Sequence, residues 1–222
     1  MDWTALGLSL QLGVVNVLCL VPVGIGVGRV LAYRRFRGKG LAEAAVALPL
    51  VLPPTVLGYY LLVAFGAASP IGHFWQLVFD QPLVFTFEAL LIASIIFNLP
   101  FAIQPMQRAF EAIPPEVREA AACCGMSPWR ALLSVELPLA WPGIVTAMVL
   151  SFAHTLGEFG IVLMVGGSIP GETRTIAIAI YDRVQAFDEA AAGQMSALLL
   201  ALSLSVIALT FAFSRRVGRQ LG

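Results

Sequence analysis

Charge is scarce in this chain. Of 222 residues, 12% are Asp, Glu, Lys or Arg, about half the usual fraction of a soluble domain. Hydrophobic residues make up 59%, and the mean hydropathy is +0.88, a balance that excludes an ordinary soluble globular fold. Histidine occurs twice and no pair of aspartates falls inside an apolar stretch, so the sequence offers no catalytic set at membrane depth. Cysteine says little: Cys19 fills an apolar run, and neighbours such as Cys123 and Cys124 point about 100° apart on a helix, a poor geometry for a shared metal. No phosphate-binding glycine loop, zinc-ligand spacing or nucleophile elbow is present. Any ATP must therefore be bound by another chain. The net charge of zero, without a basic surface, gives no sign of nucleic-acid binding.

What is present is a series of charge-free runs at 3–28, 44–79, 89–107, 137–157 and 190–214. Each holds the roughly 20 apolar residues needed to cross a bilayer. They predict an all-α integral membrane protein, one transmembrane domain over 1–222, with five spans near 4–30, 42–66, 83–106, 141–166 and 194–214. The first run lacks a basic flank before Arg29 and is longer than a signal-peptide core, so it reads as a retained span.

The cations are asymmetric. Arg29, Arg34, Arg35, Arg37 and Lys39 follow the first span, Arg108, Arg118 and Arg130 lie between the third and fourth, and Arg215, Arg216 and Arg219 close the chain. Arg174 and Arg183 fall on the opposite side. The positive-inside rule then predicts an outside N-terminus, a cytoplasmic C-terminus, and a cytoplasmic polar island at 114–142 that overlaps a loop at about 107–140.

That island is punctuated as a helical hairpin. Pro114 and Pro115 suit a helix start, Glu116 and Glu119 favour its positive end, and Ala120, Ala121 and Ala122 propagate it. Gly125 suits the left-handed position that ends a helix; Ser127 and Pro128 can then open a second, expected to run until Pro138 interrupts it. Such a hairpin needs no partner to exist. Against that plain reading, Met126 and Trp129 give the turn an apolar tip that suits insertion into a cleft.

Glu119-Ala120-Ala121, Gly125, Val135 and Leu137-Pro138 resemble, in identity and spacing, the EAA motif of ATP-binding-cassette importer permeases. The resemblance implies a type I importer permease fold and a coupling helix that docks on a cytoplasmic ATPase through Glu119, Ala120, Ala121, Gly125, Met126, Trp129, Leu137 and Pro138. It also implies a homodimer in the prokaryotic inner membrane, in contact with lipid, and an extracytoplasmic oxyanion-binding protein. The chain itself carries no cofactor, with ATP and Mg on the partner ATPase. Leu48 to Pro54, Gly157-Glu158-Phe159-Gly160, and Ile169 to Thr175 look like segments of molybdate permeases. The likeness extends less closely to sulfate and tungstate permeases, which stand as alternatives.

For the path itself, Pro49, Pro53 and Pro54 must kink or break the second span, since an interior proline costs roughly 3 kcal/mol. The kink either borders the translocation path or serves packing. Ser151, His154, Thr155 and Glu158 share one helical face. An intramembrane carboxylate costs roughly 2.5 to 3.5 kcal/mol on insertion scales, so Glu158 should face protein or water. Two readings stand: the stripe shapes or gates the pore, or Glu158 lies near the outer end and pairs with Arg174 or Arg183. The resemblance implies arginine at the position of His154 in many relatives; a neutral histidine weakens the argument for a fixed cation. Tyr59 and Tyr60 fit the outward interfacial belt. The outward loop 166–193 suggests a short interfacial helix over 175–187. The resemblance implies that this surface, including Glu172, Thr173 and Arg174 together with the loop 66–82, receives the binding protein. His73 in that second loop reads as simply solvated.

Overall fold

The computed structural model describes the backbone of residues 1–218 and the side chains through Ala208. Arg219 lies outside the described residues, as do the side chains of Arg215 and Arg216. Within these bounds the chain is helical, with no strands among the described residues.

Among the described residues, four helical stretches are long and apolar enough to cross a membrane: Trp3–Tyr33 (α1), Phe87–Glu111 (α5), Pro128–Gly157, and Glu189–Ala208 within α11 (Glu189–Gly218). A fifth span is obtained if α2 (Lys39–Val51) and α3 (Pro54–Phe65) are taken together, although they meet at 108°. The second span expected at 42–66, which its prolines were to kink or break, is thus broken into two helices. The cause is local: Leu52 and Pro53 are extended, and Pro53 and Pro54 lack the N–H groups needed to carry the helix through.

Two surface helices were only partly foreseen. The loop expected at 66–82 contains α4 (Pro70–Phe79), capped by the Ser69 hydroxyl, which accepts from Gly72 N at 2.9 Å. The second, α10 (Ile176–Gln185), matches the predicted interfacial helix within two residues at each end and is capped by Thr175. Both Tyr59 and Tyr60 are exposed, as is His73.

Three helices form the centre. α1, α5 and the long helix ending at Gly157 pack together, with Met106, Phe110, Ile144 and Ala147 in their shared core. Close approach requires small residues. A Cβ on Gly28 of α1 would lie 3.0 Å from Gln107 N of α5, and one on Gly143 would meet both Ala109 Cβ and Pro105 O of α5. A second core, with Leu61, Phe65, Ala93, Phe97, Ile161 and Val165, joins α3 to α5 and to α9 (Gly160–Gly166).

Candidate coupling hairpin and membrane path

The hairpin forms from the punctuation its sequence carries. α6 (Pro115–Cys123) begins after the extended Pro114 and ends where Gly125 adopts φ +70. There Gly125 N donates to Ala122 O at 2.9 Å and Met126 N to Ala121 O at 3.2 Å, satisfying carbonyls that the helix end would otherwise orphan. Ser127 then caps α7 (Pro128–Ala131), its hydroxyl accepting from Arg130 N at 3.3 Å. Glu119, Ala120, Cys123, Cys124 and Trp129 are exposed, Trp129 by 71%, and Met126 is half-buried. Ala121 is buried, and Val117 of the same helix packs against the core that holds Met106 and Phe110.

Pro138 does not end the second helix. Beyond α7 the chain passes through one wide π turn, Leu132–Glu136, and continues directly as α8 (Leu137–Gly157), with Pro138 in its first turn. That turn re-registers the hydrogen bonds, so the missing N–H of Pro138 falls where a helix start tolerates it. The hairpin tip and the membrane span are therefore parts of one continuous helical stretch, Pro128–Gly157, 30 residues long.

At its far end α8 stops at Gly157, and Glu158 is extended before α9 begins, so the fourth span expected at 141–166 is broken. This break adjoins the break in the second span: a Cβ on Gly160 would lie 3.0 Å from Pro54 Cβ, and one on Gly58 would lie 2.9 Å from Met164 Cβ. Of the three prolines, Pro49 is buried, whereas Pro53 and Pro54 are exposed. Interrupted backbone at membrane depth is tolerated where protein or a water-filled cavity covers it, and paired broken helices are a common device of transporters.

The polar stripe of α8 faces its neighbouring helices. Ser151 and Thr155 are buried, and Thr155 Oγ1 accepts from Asn16 Nδ2 of α1 at 2.6 Å while donating to Ser151 O at 2.8 Å. His154 places Nδ1 3.0 Å from Asn98 Oδ1 and stacks on Phe101 at 4.1 Å between ring centroids. Glu158 is 5% exposed, and its Oε2 accepts the Ser94 hydroxyl at 2.9 Å. Of the two readings of Glu158, the one that pairs it with Arg174 or Arg183 is not found among the described residues. Arg174 pairs with Asp182 at 3.1 Å and Asp2 at 3.7 Å, and Arg183 with Asp188 at 3.3 Å. Asn16, Ser94 and Asn98, which complete this seam, were missed by the sequence reading; their signal was a polar side chain inside a charge-free run.

In the 166–193 loop Glu172 is exposed, but Thr173 is fully buried. Its hydroxyl donates to Gly166 O at 2.6 Å and accepts from Ile169 N at 3.1 Å, so it shapes the loop that carries Glu172 and Arg174.

A bundle of long apolar helices, with two breaks side by side and one helix running continuously from its break to an exposed hairpin, has the architecture of a membrane permease. Residues 21–219 match the family described as binding-protein-dependent transport system inner membrane component, and the chain belongs to that family. The molybdenum transport system permease protein ModB of Azotobacter vinelandii is 46% identical over 93% of this chain and 91% of its own length. ModB of Haemophilus influenzae is 36% identical over 100% of this chain and 97% of its own. More distant is the sulfate transport system permease protein CysT of Escherichia coli K12, 32% identical over 89% of this chain and 71% of its own. Among solved structures, the bacterial ABC transporter that imports alginate superposes with a TM-score of 0.78 at 16% identity, covering 96% of this chain and 78% of that one. The inward-facing methionine transporter MetNI gives 0.76 at 18% identity, over 98% and 96%. The fold is that of a type I ABC importer permease.

Proposed function

We propose that this chain is the permease subunit of an ATP-driven molybdate importer. It works as a homodimer in the inner membrane, with the path between subunits, the N-terminus outside and the EAA loop in the cytoplasm. Two copies of a soluble ATPase dock on the hairpin through Glu119, Ala120, Gly125, Met126 and Trp129, and carry the ATP and Mg. ATP-driven closure of that pair draws the hairpins together. Because α7 continues into α8, the displacement passes along the span as far as Glu158, where α9 and the adjoining α2–α3 break are free to follow differently. An extracytoplasmic binding protein meets the loops around Glu172 and Arg174 and delivers the anion.

The observation that carries the transport reading is the unbroken helix from docking tip to membrane break. The kinship with molybdenum permeases supports the cargo, since the sulfate permease is less similar over a smaller share of its length. The test is co-purification from membranes with a cytoplasmic ATPase and, across the other face, with a molybdate-loaded binding protein. Stable capture of both is expected. A chain that binds neither is not this importer's permease.

A further inference from the structure

The hairpin is tied into the membrane by more than its covalent continuations, α5 and α8. Glu136 ends the π turn and is 2% exposed, and a carboxylate so deeply buried requires cations to hold it. Arg29, near the cytoplasmic end of α1, meets it bidentately: Nε donates to Oε2 at 2.5 Å and Nη2 to Oε1 at 3.0 Å. From α6, Arg118 brings its Nε to 3.8 Å from the same Oε1. The Arg118 guanidinium carbon also lies 3.5 Å from the ring centroid of Tyr33, back on α1. One carboxylate at the junction of hairpin and span thus holds α1 and α6 together, 107 residues separating Glu136 from Arg29.

We propose that Arg29, Glu136 and Arg118 form an ionic clasp that makes α1 travel with the docking hairpin, Glu136 being a positioning residue for transmitting motion rather than for docking. The inference rests on the reading of the hairpin as the ATPase-docking element. Its geometry argues for transmission. None of the three side chains belongs to the exposed tip, while together they bridge all three moving parts: the docking helix, the π junction and the first span. Bulk stability alone gives little reason for the arrangement, because buried ion pairs are commonly replaceable by apolar residues without loss. Bidentate and cation–π contacts instead fix direction and distance, which is what transmitting a displacement needs.

The test uses the whole transporter, reconstituted with its ATPase and binding protein, and measures ATP hydrolysis and anion uptake in the same vesicles. The anion is whichever of molybdate, tungstate or sulfate the wild-type complex accumulates. Glu136→Gln is expected to retain ATPase binding and hydrolysis near the wild-type rate while anion taken up per ATP falls roughly fivefold or more. Arg118→Gln, which leaves the Arg29 pair intact, is expected to show the same uncoupling to a smaller degree, and it decides the matter if the first variant is not recovered from membranes. Unchanged uptake per ATP, or uptake and hydrolysis falling in proportion, overturns the clasp while leaving the docking reading intact. Failure of the wild-type chain to bind the ATPase overturns both.

Discussion

Ser94 and Glu158 meet inside the bundle, hydroxyl to carboxylate at 2.9 Å, joining α5 to the residue at which α8 stops. The other carboxylate oxygen, Oε1, has no hydrogen-bond partner among the described residues. This contact therefore carries much of the polar satisfaction of a side chain that is almost wholly buried. Removing a donor to a buried acceptor costs about 1–3 kcal/mol. Ser94→Ala should lower the thermal midpoint of the detergent-solubilised protein, whereas Glu158→Gln, whose amide oxygen still accepts from Ser94, should lower it less. The opposite ranking would show that Ser94 is not what holds Glu158.

Gly125 separates backbone strain from steric clash. A Cβ there would meet nothing within 4 Å, but its φ of +70 disfavours branched side chains by about 1–2 kcal/mol. Gly125→Val should weaken ATPase association and stimulated hydrolysis, and Gly125→Asn, which tolerates the left-handed region, should largely preserve them. Binding measurements on both variants check this. Wild-type coupling in the valine variant would reject the turn as part of the docking surface.

Helix crossing in the membrane depends on which glycine is replaced. Gly28 faces α5 with Gln107 N at 3.0 Å from an added Cβ, whereas Gly26, half a turn earlier, has nothing within 4 Å. Overpacking costs about 1–3 kcal/mol, so Gly28→Leu should reduce folded yield on size-exclusion chromatography while Gly26→Leu should not. Equal tolerance at both positions would contradict the α1–α5 contact.

The two hairpin cysteines report on orientation. Cys123 and Cys124 are exposed, whereas Cys19 is half-buried within α1. A membrane-impermeant maleimide should label Cys123 and Cys124 in inside-out vesicles and leave them unlabelled in right-side-out ones. Labelling from the outer face would invert the proposed topology.

How much of this was legible depended on whether the signal was local. The hairpin could be read because Pro115, Gly125, Ser127 and Pro128 each dictate their own backbone geometry. The same Ser-Pro signature at Ser69 and Pro70 announced α4, but it lay within a charge-free run and was passed over as loop. Pro138 was misread as a stop because the preceding π turn, which makes room for it, has no sequence signature of its own. One of the two readings of Glu158 paired it with Arg174 or Arg183, charge answering charge; the structure answers with Ser94, 64 residues away. Arg29 and Glu136 were likewise invisible as a pair, since only the packing of α1 beside the hairpin brings them together.

The most direct measurement is ATP-dependent uptake into vesicles containing this chain with the proposed ATPase and binding protein, with molybdate, tungstate and sulfate compared side by side. Molybdate should accumulate only when ATP is supplied, and in preference to sulfate. Accumulation of sulfate or an unrelated solute without molybdate would contradict the cargo, and absence of any ATP-dependent uptake by the assembled complex would contradict the importer itself.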